Sequence, residues 1–287
     1  MPQSRHPSAD TRFADLVIKP FARPPGAEVL GLDASRMEAR EADALRQAMA
    51  QHGVLLLRDQ DLTPKDLVRL SEFFGEIEPP TREQFSLPEQ PEIFVISNVV
   101  ENGRPIGSAN DDMAWHTDQV YFDRPTAYTF LYGIETPAEG ADTLFCETYE
   151  LYDELDAATR ERYAGIEIEY SHNKLFAGRL TPEQMLRHPD VIHPLVRTHP
   201  VNGRKSLYFG RRKLSQPLGM EQEEGLRFLD RLNERATRPE RVYTHKWQPG
   251  DLLMWDNRGL LHSATPYDQA KHRRIVHRTS VIGEKPY

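Results

Sequence analysis

Apolar and polar positions change rhythm along the chain. As far as Gly75 the pattern is mixed. Val17–Phe21 and Glu28–Leu30 predict short strands, and Val54–Arg58 is a compact apolar strand. Arg36–His52 predicts a helix that Gly53 closes as a C-cap. Thr63-Pro64-Lys65-Asp66 supplies an N-cap, a proline at the first helical position and an acid in the first turn. Leu67, Leu70, Phe73 and Phe74 follow at helical spacing up to Gly75 and are core residues in this reading.

From Ile93 onward the pattern turns to strands. Ile93–Ser97, Ala127–Glu135, Thr143–Cys146, Ile166–Tyr170, Leu252–Trp255 and Ile275–Ile282 are predicted. Val196–His199 and Ser206–Phe209 flank Asn202-Gly203, which predicts a type I′ hairpin. One helix starts at the capping box Thr181-Pro182-Glu183-Gln184; another runs from about Glu221 to Ala236, with Leu226, Leu229 and Leu232 roughly on one face. The 22 prolines and 17 glycines favour many short strands. The predicted class is mainly β with flanking helices, a sandwich or jelly roll. No repeat, low-complexity tract or linker divides the chain. The expectation is a flexible leader over 1–13 and one domain over 14–287, with the polar segment 171–189 as an insertion or a lid.

Composition narrows the function. The 287 residues carry 36 Lys and Arg against 44 Asp and Glu, a formal charge of −8. That balance argues against a non-specific nucleic-acid binder. The single cysteine, Cys146, excludes an intrachain disulfide and any multi-cysteine zinc or iron–sulfur site. It fits a reducing compartment, so a cytoplasmic location is expected. No apolar run is long enough to span a bilayer, and Met1–Phe13 lacks the apolar core of a secretory signal. Neither nucleic acid nor membrane is expected as a partner.

Three elements carry chemistry. In Trp115-His116-Thr117-Asp118, an extended backbone points His116 and Asp118 to the same side, where they can ligate a divalent metal. Most isolated triplets of this type are ordinary hydrogen-bonded residues. The second element is Gln248–Arg258, a tight turn feeding an apolar strand and a polar cluster, with His262 beyond it. His262 would complete a set of two histidines and one carboxylate, which leaves open positions on iron(II). The third is Arg273-Arg274-Ile275-Val276-His277-Arg278, where Arg274, Val276 and Arg278 share one strand face. Facing inward, two guanidiniums would need anions, and arginine grips carboxylate or sulfonate bidentately. Alone, the segment reads more readily as a solvated basic edge strand.

Together these elements resemble the taurine dioxygenase and 2,4-dichlorophenoxyacetate dioxygenase family, enzymes dependent on iron(II) and 2-oxoglutarate. The likeness extends to Val54–Gln60, Phe74-Gly75-Glu76, Gly140–Phe145 and Val196–Pro200. It implies a double-stranded β-helix, a jelly-roll variant with the metal inside one end. It implies that His116, Asp118 and His262 ligate iron, that Thr143 meets one end of 2-oxoglutarate, and that Arg274 pairs with the distal carboxylate. A shift of one would select Arg273 instead; the alternating-face argument favours Arg274. The implied reaction is hydroxylation coupled to oxidative decarboxylation of 2-oxoglutarate, consuming O2 and yielding succinate and carbon dioxide. Related halogenases carry a small residue in place of Asp118, so the carboxylate argues for hydroxylation.

Arg278 matches the position that binds the sulfonate in taurine-type members, which implies a small organic anion (carboxylate, sulfonate or sulfate) as substrate. Taurine itself fits poorly. Ile77–Gln84 lacks the His and Tyr of taurine-type members, and Asp111-Asp112-Met113-Ala114 stands where they carry Asn. Phe85, Tyr121, Phe122, Phe176 and Phe209 could line an apolar pocket. The favoured substrate is a carboxylate with an apolar or aromatic body, whose hydroxylated product could fragment. Two other readings stay open: a zinc hydrolase built on the same triad, and a non-catalytic jelly-roll protein that binds a small anion. The remaining histidines, His172, His188, His193, His199, His245, His272 and His277, match no ligand position. Family likeness also implies a homo-oligomer.

Overall fold

The computed structural model describes residues 11–13, 16–109, 113–175, 177–178, 181–210 and 214–287. Its frame is a nine-stranded sheet. The strands run, in order across it, Thr11–Phe13, Leu16–Pro20, Ala27–Leu30, Val54–Leu57, Leu252–Asp256, Thr126–Glu135, Ile275–Ile282, Gln90–Ser97 and Ser86–Leu87. Only the Ala27–Leu30 and Val54–Leu57 pair is parallel.

Strand alternation gives this sheet two apolar faces. Leu55, Leu57, Phe130, Tyr132, Leu252 and Met254 pack on Leu45 and Met49 of helix Ala39–His52 and on Leu67 and Leu70 of helix Pro64–Glu72. Val54, Leu56, Leu131, Leu253, Trp255 and Val276 point the other way, onto Phe145, Trp247 and Leu260. Both faces are covered, so Val54–Leu57 is buried at every position and reads as a solid apolar run. The opposing sheet has the order Tyr243–His245, Thr143–Glu147, Leu260–Ala264. A third sheet, Val191–Pro194, Glu167–Tyr170 and Ser215–Pro217, packs with helix Gln222–Ala236 around Ile168, Tyr170, Phe228 and Leu232. The architecture is mainly β with flanking helices, the double-stranded β-helix (jelly roll).

Local signals fix several boundaries. Gly53 has φ +78° and donates its N–H to Met49 O at 2.7 Å, closing the first helix. Thr63 Oγ1 accepts from Asp66 N at 3.2 Å while the Asp66 carboxylate accepts from Thr63 N at 3.0 Å, a reciprocal capping box. Other boundaries differ from expectation. The helix predicted from Arg36 splits into a 3₁₀ turn, Ala34–Arg36, and an α-helix whose start is capped by Glu38 and Glu41. Of the expected leader, residues 1–10 lie outside the described residues, and Thr11–Phe13 form an edge strand.

The predicted type I′ turn at Asn202-Gly203 is not one. That turn requires positive φ at both residues, and Gly203 alone has it, at +68°. The connection instead wraps around His199, whose Nδ1 accepts from the N–H of Val201 at 3.2 Å and of Asn202 at 3.3 Å. Asn102-Gly103, with φ of +50° and +75°, makes the tight two-residue turn, between Val100–Glu101 and Arg104–Pro105. No described helix is long and apolar enough to cross a membrane.

Candidate metal centre

Two backbone hydrogen bonds join His116 and His262. His116 N–H donates to His262 O at 3.0 Å, and His262 N–H donates to His116 O at 2.8 Å. This antiparallel bridge puts both side chains on one side, with ring centroids 4.1 Å apart. His262 sits on strand Leu260–Ala264, opposite Phe145. The chain turns just after His116, with Gln119 at φ +50°, and Asp118 joins the pair. Asp118 Oδ1 lies 3.8 Å from His116 Nε2 and 3.6 Å from His262 Nε2. One ligand atom from each residue lies within 4.8 Å of the other two, and all three residues are buried. Donors about 2.1 Å from a shared ion stand roughly 3–3.5 Å apart, so a small contraction would seat one. Among the described residues no other group of three His, Cys, Asp or Glu side chains converges in this way.

Electrostatics suit the same use. His116 Nδ1–H donates to Ala114 O at 2.7 Å, which leaves Nε2 with its lone pair toward Asp118. Burial pushes the His116 pKa down and keeps the ring neutral, the form that ligates. Burial alone would raise the Asp118 carboxyl, but the imidazole of His262, the Arg278 guanidinium and His116 outweigh it and hold it below the usual carboxylate range.

Behind the triad lies a buried polar chain that sequence reading did not find. Thr129 Oγ1 donates to Asp118 Oδ2 at 2.6 Å, Asn257 Nδ2 to Thr129 Oγ1 at 2.9 Å, and Trp255 Nε1 to Asn257 Oδ1 at 2.9 Å. The available signal was a threonine on the inward face of an otherwise apolar strand. Neighbouring Asp256 serves the fold instead. It takes a two-pronged contact from Arg258 at 2.8 and 2.6 Å and faces His199 Nε2 at 2.9 Å.

Thr143 points inward beside Phe145, and its hydroxyl oxygen accepts from Trp247 Nε1 at 3.0 Å. Arg274 is 5% exposed, two positions before the core residue Val276. Arg273 faces solvent and pairs with Glu135 at 3.0 Å. Strand parity therefore turns Arg274 inward and Arg273 outward. Arg278 shares the inward face, but four residues of strand separate it from Arg274 by about 13 Å. The Arg278 guanidinium lies 4.8 Å from the Phe94 ring and acts electrostatically on Asp118, His116 and Tyr121. Burial first, then the Asp118 charge, push the Tyr121 phenol up to about 12 against the opposing Arg278.

The expected aromatic lining divides. Tyr121 and Phe122 stack edge to face at 4.8 Å and approach His172 at 5.1 and 6.3 Å. His188, in the segment expected as a lid, lies 4.5 Å from His172. Phe85 packs edge-on to Phe94 at 6.2 Å, whereas Phe209 is buried in the third sheet's core. Phe176, Asp111 and Asp112 lie outside the described residues. His193 Nε2 meets Phe122 O at 2.9 Å and His245 Nε2 meets Asp251 at 3.2 Å, so both are held away from the triad. Cys146 is fully buried, and burial raises its thiol pKa.

Residues 18–280 match the sequence profile of the family described as taurine catabolism dioxygenase TauD, TfdA. The (S)-phenoxypropionate/alpha-ketoglutarate-dioxygenase of Sphingobium herbicidovorans is 31% identical over 286 residues, covering 93% of this chain and 95% of the relative. Pentalenolactone F synthase of Streptomyces arenae is 29% identical over 282 residues, covering 91% of each. A solved structure described as AAD-2 in complex with Mn(II) and N-oxalylglycine superposes with a TM-score of 0.83 at 30% identity, covering 94% of this chain and 99% of that one.

Proposed function

The chain belongs to the TauD/TfdA family of 2-oxoglutarate-dependent dioxygenases, which act on small organic substrates, and from the geometry of its buried triad we propose how it does so. In this reading His116, Asp118 and His262 hold iron(II). The two Nε2 atoms and Asp118 Oδ1 fit that role because they converge, buried, with the His116 tautomer already set by Ala114. Bound there, iron(II) supplies the oxidising chemistry that couples decarboxylation of 2-oxoglutarate to substrate hydroxylation.

The chain's own residues do the rest. Thr143 meets one end of 2-oxoglutarate and Arg274 pairs with its distal carboxylate; Trp247 occupies an acceptor site of the Thr143 oxygen, which frees its O–H to donate to a carboxylate. Arg278 grips an anionic substrate head near Asp118, and Tyr121 and Phe122 flank an apolar body. The substrate class is a carboxylate with an apolar or aromatic body, oxidised with release of succinate and carbon dioxide. The phenoxypropionate named for one relative supports that class. The observation that carries the whole reading is the convergence of the triad.

Anaerobic visible spectroscopy tests it. Iron(II) and 2-oxoglutarate should together give a charge-transfer band that His116→Ala abolishes. Absence of the band in folded protein supplied with both would refute the metal assignment. Aryloxyalkanoates should then stimulate succinate formation more than sulfonates do.

A further inference from the structure

We propose that Trp255, Asn257 and Thr129 form a one-way hydrogen-bond relay that restricts Asp118 to ligation through Oδ1 alone. The proposal rests on the triad being a metal centre. Its direction follows from donor inventory. An indole N–H can only donate, so the Asn257 oxygen must face Trp255. The Asp118 N–H donates to that same oxygen at 3.3 Å, which fixes the amide a second time. The Asn257 NH₂ is thereby aimed at Thr129 Oγ1 and occupies one of its acceptor sites at 2.9 Å. The hydroxyl has one proton, and it goes to Asp118 Oδ2 at 2.6 Å, a length typical of a hydroxyl bonded to a carboxylate.

No step of the relay is open to bulk water: Thr129 and Asn257 are 0% exposed and Trp255 1%. Oδ1 faces both imidazoles while Oδ2 is held away from them. A carboxylate held by one oxygen cannot swing to chelate with both, so the relay keeps one more metal position free for incoming ligands. Thr129, Asn257 and Trp255 are positioning residues, since they act through Asp118.

The test titrates metal-free protein with manganese(II), followed by loss of the free-ion paramagnetic resonance signal and by water-proton relaxation of the bound ion. Thr129→Val keeps the shape but removes the donor. Affinity should fall about 10- to 100-fold. Relaxation enhancement should fall by roughly a third as the carboxylate closes onto the ion and one of three waters leaves. Thr129→Ser should restore both, an outcome that loss of packing would not give. Should Thr129→Val fail to fold, Thr129→Ala removes the same donor without adding bulk, and the same losses are expected. Wild-type affinity and relaxation in the folded hydroxyl-free variant would overturn the relay alone. If the unmodified protein binds manganese no better than His116→Ala, the metal reading falls and the relay falls with it.

Discussion

Replacing Arg278 with alanine separates a guanidinium that serves a ligand from one that serves the fold. Arg278 pairs with Phe94 and Leu131 across its strand and lies 4.8 Å from the Phe94 ring. Its Nε is buried without a hydrogen-bond partner, and no acid among the described residues forms an ion pair with it. Asp118 acts on this half-buried cation only through space, without a direct ion pair, so part of its desolvation cost is left for a bound anion to offset. A charge-assisted hydrogen bond to the substrate head contributes about 2–3 kcal/mol, so Arg278→Ala should raise the substrate KM about 30- to 150-fold. Losing the contact to Phe94 costs about 0.5–1 kcal/mol and relief of desolvation opposes it, so stability should change by less than about 1 kcal/mol. The assay is steady-state succinate formation with an aryloxyalkanoate at saturating 2-oxoglutarate, paired with urea unfolding. The KM for 2-oxoglutarate should stay within about twofold, because Arg274 lies about 13 Å away along the strand. An unchanged substrate KM would refute the reasoning, and so would a large loss of stability with both KM values raised.

Gly133→Ala would place a Cβ 3.0 Å from Trp247 Cε3 and 3.1 Å from Thr136 Cγ2. The rigid indole must move, which should cost about 1–3 kcal/mol in urea unfolding and raise the KM for 2-oxoglutarate more than that for substrate, by disturbing the bond to Thr143. Asp256→Ala leaves the buried Arg258 guanidinium with only the longer Glu284 contact at 3.4 Å and should cost about 3 kcal/mol in the same assay. His193 should make stability depend on pH. Burial pushes its pKa down to about 4. The unfolded value is about 6.5, so its contribution is full above that pH and is lost as pH falls toward 4, when only the unfolded chain takes up the proton. The shift limits the loss to about 3 kcal/mol, and His193→Gln should flatten the stability curve in that window by up to this amount. An unchanged slope would exclude His193 as its source.

Signals that act within a few residues were legible in the chain. The Thr63–Asp66 capping box and the Gly53 cap are local, and the structure contains both. Parity of neighbouring extended residues separates the two arginines: Arg274 is 5% exposed, while Arg273 pairs with Glu135 at the surface. Features set by long-range register were not legible. Thr129 meets the triad only because Trp255 pairs with it across the sheet, which carries Asn257 to the same place. Nothing within Thr126–Glu135 announces that pairing. Strand Leu260–Ala264 carries no local signal for a similar reason. It is short, and its partner Thr143–Glu147 lies far earlier in the chain. The two Asn-Gly pairs make the same point: identical dipeptides adopt different turns, because one must wrap the buried His199 ring and the other has only a short hairpin to close.

The division between strand and loop also explains why family membership reaches reaction class before substrate. His262, Thr129, Thr143 and Trp255 stand on strands, and His116 is tied to a strand by two backbone hydrogen bonds. Their relative positions are set by the core, and changing them costs packing as well as chemistry. Tyr121 and Phe122 lie outside the regular strands, and His188 lies between helix Pro182–Arg187 and strand Val191–Pro194. Such residues can be exchanged without disturbing the sheets. A relative named as a phenoxypropionate dioxygenase and one named as pentalenolactone F synthase match 93% and 91% of the chain, so likeness along the whole chain does not single out one compound. Arg278 stands at the boundary: it lies on a sheet strand, so the core sets its position, while Tyr121, Phe122 and His188 lie outside the regular strands.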